Sequence, residues 1–388
     1  MTRRADSIAS RSVNVRYVIG IDHLRGVAAL LMVAYHGMQV LRISSPGGGA
    51  LYPATNDPIS ALIVEGHTAV ALFMVLSGFI LTYGADRGGL RYGAFMKNRV
   101  LRVLPMYVLV LFVGIYALPG EYTFSGFTQF FTLQAVPPLA TANLGAWSAV
   151  LWTISVEFSF YLLFPFLLRF LQRYGVRYLL GVLLLTNTLR LLAAATERTT
   201  VRDVSYWTIV GRIDQFVIGM LGAWLLQRGV VRLARWQSAV LAGAGVVAVC
   251  CALWWFNRHG SFAGNGLWKA QWPLIEAVLW GTVVVGYVGW SREWSGRLAR
   301  GLTWPGVVSY SVYLLHFPIV SAMEARHWQL VDNAVANAAL LTAVVMLPVT
   351  LLLATVSYLV VERPFMEMRV RYLDSSPTTS GPTMASHA

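Results

Sequence analysis

Arg25 and His36 stand eleven positions apart in one apolar stretch near the start of the chain, residues 15–41, VRYVIGIDHLRGVAALLMVAYHGMQVL. On an α-helix, eleven residues make about three turns plus 20°, so the two side chains share a stripe roughly 16 Å long. The stretch is long enough to cross a bilayer, which takes about 20 apolar residues, and ionisable groups at that depth are costly. An imidazole titrates near neutrality and can take a proton, while a guanidinium can hold an anion or a carbonyl oxygen that gains charge. The plainer alternative is an arginine that snorkels to the interface and a packing histidine. Asp22 and His23 read as structural neighbours.

Other polar groups lie in similar stretches. Glu157, in WSAVLWTISVEFSFYLLFP, falls about mid-membrane and needs a cation, a proton or a water-filled cavity. Arg25 is one candidate partner, and a purely structural ion pair is the alternative. Arg99 and Arg102, in RYGAFMKNRVLRVLP, are adjacent on a helix surface. They form a fork suited to phosphates, although basic cytoplasmic loops carry arginines in any case. In SYSVYLLHFP, Ser309, Tyr313 and His316 share a helix face, with His316 either catalytic or a hydrogen-bonded core histidine. Arg212 and Asp214, in GRIDQFVIG, diverge by about 200°, so they line a polar outer vestibule or pair across helices. Glu65 and His67 fall near a span end, in the headgroup zone, and Ser77-Gly78 reads as close helix packing.

The elements that carry these groups follow from composition. Of 388 residues, 57% are apolar and 12% charged, which is a polytopic membrane protein rather than a soluble one. Ten spans are expected, at residues 15–41, 59–83, 106–118, 147–168, 178–195, 207–226, 238–256, 272–290, 304–323 and 334–361. The fold class is therefore an all-α membrane helical bundle of about ten transmembrane helices. A short interfacial helix is expected around 127–133, within the long connection 119–146. By this placement 21 of the 30 Lys and Arg fall on one side and six on the other. That bias makes the basic side, with both termini, cytoplasmic and accounts for the net charge of +13 without a nucleic-acid partner. Residues 1–14 read as a cytoplasmic N-terminal arm, 15–372 as one membrane domain and 373–388 as a disordered cytoplasmic tail. The adjacent Cys250 and Cys251 suggest no disulfide, metal site or nucleophile. The apolar run near the start is too long for a signal-peptide core. Walker A, GxSxG and HExxH patterns are absent from the sequence.

Seven segments in register, IDHLRGVAALLMVAYHG, FMVLSGFILT, FMKNRVLRVLP, WTISVEFSFYLLFP, GRIDQFVIG, SYSVYLLHFP and VERPF, resemble the membrane acyltransferase-3 family of integral membrane O-acyltransferases over about 17–365. One departure is His23, which replaces the first glycine of the usual Asp-Gly-Leu-Arg-Gly opening. The resemblance implies transfer of an acyl group, usually acetyl from acetyl-CoA, to a hydroxyl. Acceptors in the family are surface polysaccharide, lipopolysaccharide, peptidoglycan, oligosaccharide or macrolide-type metabolites, and the implied setting is the bacterial cytoplasmic (inner) membrane. No metal is expected. By position Arg25 and His36 match the family's essential pair, Arg99 and Arg102 its cytoplasmic arginine pair, and Glu157 the acidic residue of its fourth-span motif. Some relatives carry a further span and an esterase-like domain, neither of which is expected after the tenth span here.

Acyl transfer to an alcohol needs a base for the hydroxyl proton and a positive group for the oxyanion. On this reading His36 is the base, Arg25 stabilises the thioester carbonyl or holds the CoA arm, and Arg99 with Arg102 anchors CoA phosphates. Glu157 orients His36 or balances Arg25. Donor enters from the cytoplasm and acceptor from outside. The rival class, a transporter or flippase for a glycan or lipid-linked precursor, predicts inverted repeats and paired broken helices, neither visible in the sequence. A non-catalytic scaffold leaves Arg25, His36 and Glu157 without purpose.

Overall fold

The computed structural model describes residues 14, 17–85, 89–121, 123–132, 150–196 and 200–373. The expected arm, Asn14 apart, and the expected tail beyond Leu373 lie outside these. Among the described residues nine helices are long and apolar enough to cross a membrane, and a bent pair makes a tenth. They are α1 (Ile19–Ile43), α2 (Gly66–Ala85), α3 (Tyr92–Ala117), α4 (Trp152–Tyr174) and α5 (Val176–Ala195). Then come α6 (Val201–Gln227), α7 (Arg235–Arg258), α8 (Leu267–Ser291), α9 (Arg297–Val307 and Ser309–Glu324, bent by 54°) and α10 (Ala334–Glu367). The polytopic helical bundle expected from composition is thus present.

Three helices depart from the sequence reading: α3 in where it starts, α9 in a bend and α10 in its internal turns. Helix α3 starts at Tyr92 and runs through Pro105 to Ala117, so Arg99 and Arg102 ride on its first half instead of in a loop. Proline removes one ladder bond and crowds the carbonyl one turn back. Packed neighbours keep the helix going past such a defect. The bend in α9 follows Trp304-Pro305-Gly306, residues that commonly mark a sharp kink. Helix α10 contains two π-turns, Thr342–Met346 and Tyr358–Glu362. Each is a local widening of a kind found mostly at functional sites. The interfacial segment is a helix, Phe124–Phe131, while Trp147 and most of the loop before α4 lie outside the described residues.

Helix α1 is central, with α2, α8, α9 and α10 packed around it. One apolar core runs through α1 to α9, and a second fills the seam between α1, α9 and α10. Helices α2 and α6 approach each other closely. A Cβ on Gly78 would lie 2.0 Å from the Phe216 carbonyl oxygen, and one on Gly219 would lie 2.1 Å from that of Val75. Small residues admit such close backbones, since in lipid helix association relies on packing.

The two ends of the described chain meet on one face. Asn14 Nδ2 donates to the Val370 carbonyl at 3.0 Å, and the Tyr372 amide donates to Asn14 Oδ1 at 2.7 Å. At the opposite face Glu65 is fully buried, accepts from Asn257 Nδ2 at 2.9 Å and from Ser261, and meets His67 Nε2 at 3.0 Å. Glu65 and His67 therefore belong to a buried network at a span end. Arg212 and Asp214 pair across helices: Asp214 with Arg190 of α5 at 2.6 Å, Arg212 with Glu276 of α8 at 3.6 Å. A charge buried at this depth needs such a partner. Cys250 and Cys251 are free thiols.

Candidate active site

Five helices converge on a partly open cavity with about 620 Å³ of empty space, its mouth included. Arg25 comes from α1, Ser77 from α2, Arg102 from α3, Glu157 and Tyr161 from α4, and Ser309, Tyr310 and Tyr313 from α9. The walls between them are apolar, among them Phe73, Met74, Val103 and Ile154. Arg25 makes no ion pair within 4 Å and no hydrogen bond among the described residues, leaving its guanidinium to the cavity. Glu157 lines the same space but does not pair with Arg25. Its Oε1 accepts from Ser77 Oγ at 2.9 Å and from the Tyr161 hydroxyl. The cavity thus holds a cation and a carboxylate side by side, each free of the other. That arrangement suits a polar ligand better than a structural ion pair does.

His36 does not line this cavity. Its Nδ1 lies 2.9 Å from His316 Nε2 of α9, with the rings stacked at 5.0 Å and 30°. Tyr313, a cavity wall, has its ring 5.7 Å from that of His316, so the histidine pair lies close to the cavity but outside its lining. The hydrogen-bond pattern fixes the protons of this pair. His316 Nδ1 is 3.2 Å from the Val312 carbonyl, which can only accept, so Nδ1 carries the hydrogen. With both rings neutral, His316 Nε2 is then a lone pair, and His36 Nδ1 must donate to it. The remaining nitrogen, His36 Nε2, is left unprotonated, and it makes no hydrogen bond among the described residues. A free imidazole nitrogen of this kind can accept a proton. Glu157 has no contact with His36, so its expected alternative role of orienting that ring is not met.

The arginine pair of α3 divides. Arg102 donates through Nη1 to Glu362 Oε2 at 2.8 Å, and its guanidinium lies 5.6 Å from the Tyr310 ring. Arg99 sits beyond the cavity lining, 5.3 Å from the Phe95 ring and 5.5 Å from the Tyr161 ring. Its buried Nε has no hydrogen-bond partner. Glu362, on the second π-turn of α10, also accepts from Ser311.

Of the expected residues, the structure unites Arg25, Arg102 and Glu157 in one cavity and leaves Arg99 and His36 outside its lining. Ser77, Tyr161, His316 as the partner of His36, and Glu362 are additions. A hydroxyl four residues after Glu157 and an ionisable residue in VERPF were visible signals for Tyr161 and Glu362. The pairing of His36 with His316 had no local signal.

Comparison with known proteins is decisive for kinship. A family model described as an acyltransferase domain matches residues 18–359. The chain belongs to the acyltransferase-3 family. Its described residues hold nine helices long and apolar enough to cross a membrane, and a tenth if the bent pair is one span, as a multi-pass membrane protein would. It is 25% identical over 334 residues to the peptidoglycan O-acetyltransferase OatA of Listeria monocytogenes, covering 79% of this chain but 50% of that protein. It is 26% identical over 381 residues to the acyltransferase MdmB of Streptomyces mycarofaciens, covering 89% of this chain and 90% of that protein. The acyltransferase-3 chain thus spans about half of OatA and nearly all of MdmB. No solved structure matches it.

Proposed function

We propose that this enzyme moves an acetyl group from cytoplasmic acetyl-CoA to a hydroxyl of a carbohydrate acceptor in the bacterial inner membrane. The observation that carries this reading is the His36–His316 pair, in which His316 Nε2 holds His36 Nδ1 at 2.9 Å and the other ring nitrogen, His36 Nε2, makes no hydrogen bond among the described residues. In the reaction the acceptor hydroxyl gives its proton to His36 Nε2 as its oxygen attacks the thioester carbon. Collapse of the tetrahedral adduct breaks the C–S bond, and the imidazolium returns the proton to the departing thiolate.

Arg25 serves the donor on the way in, not the reacting carbonyl. Along α1 it lies roughly 16 Å from His36, and helical side chains both lean toward the N-terminus, so their tips stay well apart. A base and an oxyanion donor must each come within about 3 Å of the reacting group. The cavity at Arg25 and Glu157 accordingly takes the polar pantetheine arm, and Arg99 with Arg102 takes phosphates at the basic face. The positive-inside bias makes that face cytoplasmic. Donor then enters beside Arg25, and acceptor reaches His36 outside the lining of that cavity.

A second reading keeps the chemistry and changes the acceptor to a macrolide-type secondary metabolite. The match along nearly the full length of the Streptomyces acyltransferase favours it. Mass spectrometry of surface glycans and of secreted metabolites from a deletion strain tests both. Loss of O-acetylation on a glycan supports the first reading, and loss on a small secreted product supports the second. If neither is altered while transport of a glycan precursor stops, the transporter class replaces both.

A further inference from the structure

A second cavity lies beside the buried Glu65, whose partner His67 lines it. It holds about 350 Å³ of empty space, its mouth included, and α2, α6, α7 and α8 all contribute to its walls. Those walls are aromatic: Tyr206 meets Phe262 edge to face at 4.6 Å, and Phe256 stacks on Trp272 at 4.4 Å. Five lining residues, His67, Ser205, Arg212, Trp272 and Glu276, are more than nine-tenths buried, and each carries a polar atom with no hydrogen-bond partner among the described residues. A buried polar atom left unpaired costs about 1–3 kcal/mol, and folded proteins keep few of them.

The unpaired set is mixed. Arg212 Nη2 and Trp272 Nε1 donate, Glu276 Oε1 accepts, and Ser205 Oγ can do both. His67 Nε2 meets the Glu65 carboxylate at 3.0 Å and so carries the ring hydrogen, which leaves the unpaired Nδ1 of the neutral ring to accept. The cations of the lining are already engaged. Arg202 Nε meets Asp203 at 3.3 Å, and the Lys269 ammonium donates to the carbonyls of Gly260, Ser261 and Gly264. Arg212 Nη1 lies 3.6 Å from Glu276 Oε2. A closed pair of this type makes two parallel bonds, whereas here one arm of each partner stays open.

From this geometry we infer that the cavity is a subsite for a neutral, hydroxyl-rich ring, a pyranose unit of the acceptor adjoining the one that is acylated. The inference rests on the acceptor being a carbohydrate. A hydroxyl donates and accepts, so a ring bearing several of them satisfies a mixed set that an anion or an apolar body leaves unpaired. Its apolar C–H faces suit aromatic walls, in the usual manner of pockets with an apolar lining and a few placed polar groups. The proposed base is near: the His67 ring is 6.0 Å from that of Tyr35, and the Tyr35 ring is 4.7 Å from that of His36.

The test is a saturation-transfer NMR titration of the full-length protein in phosphatidylcholine nanodiscs with the methyl pyranosides of glucose, galactose, mannose and N-acetylglucosamine. At least one is expected to bind. Ser205→Ala and Trp272→Phe each remove an unpaired polar atom and break no side-chain hydrogen bond within the protein. Each should weaken that binding about threefold, and the two together about tenfold. The melting temperature of Ser205→Ala should hold or rise, and where Trp272→Phe loosens the stack on Phe256 the smaller serine change still carries the test. Pyranoside binding that both variants leave unchanged overturns the inference while the carbohydrate reading stands. No pyranoside binding by the wild type also overturns it, and the carbohydrate reading fails separately, by the mass spectrometry of glycans and metabolites. A lower melting temperature for Ser205→Ala gives its hydroxyl a structural role, against the inference. Binding of inorganic phosphate that the same variants weaken, with no pyranoside bound, assigns the cavity to anions, also against it.

Discussion

Replacing His316 tests the proton arrangement at its weakest link. In the proposed mechanism His36 acts as a base only while Nδ1 keeps its hydrogen, and the acceptor that holds it there is His316 Nε2 at 2.9 Å. His316 itself is fully buried and anchored by Val312 at 3.2 Å. A neutral hydrogen bond contributes about 0.5–1.5 kcal/mol, and leaving a buried donor unpaired costs about 1–3 kcal/mol. Since each 1.36 kcal/mol is tenfold in rate, His316→Ala should lower kcat by roughly 10- to 100-fold. His316→Gln can present a carbonyl oxygen to His36 Nδ1 and should recover much of that loss. The assay is acetyl transfer from labelled acetyl-CoA by purified protein, beside thermal unfolding in detergent to exclude misfolding. Equal turnover in the wild type and His316→Ala would refute the arrangement. So would a glutamine variant no better than alanine at equal stability.

The other tests address the cavity and the frame. Glu157→Gln keeps an acceptor for Ser77 and Tyr161 but removes the charge beside Arg25; turnover should fall roughly tenfold at unchanged melting temperature, since buried charge effects on this scale are common, and full activity would reduce Glu157 to a packing residue. Arg190→Leu leaves Asp214 buried without its 2.6 Å partner and should cost about 3–5 kcal/mol in a denaturant titration. The double variant with Asp214→Leu should recover most of that, and no recovery would show that the pair is not the cause. Gly78→Ala sets a methyl 2.0 Å from the Phe216 carbonyl and should cost about 1–3 kcal/mol in thermal unfolding. Gly93→Ala, with open space around it, should not, so equal effects would count against close α2–α6 packing.

Much of the frame was legible in the sequence because lipid imposes a simple rule: a spanning segment must be long, apolar and helical. That rule picked out a segment overlapping each of the ten helices, the bent pair counted as one, and isolated Arg25, His36 and Glu157 as residues needing a reason. It failed where a helix ignores local signals. Pro105 and a dense basic run read as a loop, yet the bundle carries α3 straight through them. It also could not see which distant groups meet. Ser77 read as a small packing residue, and its hydroxyl instead holds Glu157 across two helices. His316 was equally a catalytic or a core histidine by spacing, and only the approach of α9 to α1 gives it His36 as a partner. That His36 falls outside the cavity lined by Arg25 of the same helix likewise depends on how distant helices pack against α1.

The most direct measurement of the proposed chemistry is ester formation by membranes carrying the wild-type protein or His36→Ala, supplied with acetyl-labelled acetyl-CoA. Label should enter an alkali-labile ester product with the wild type and be absent with His36→Ala at equal membrane insertion. Equal labelling by the two proteins would contradict the assignment of His36 as the base.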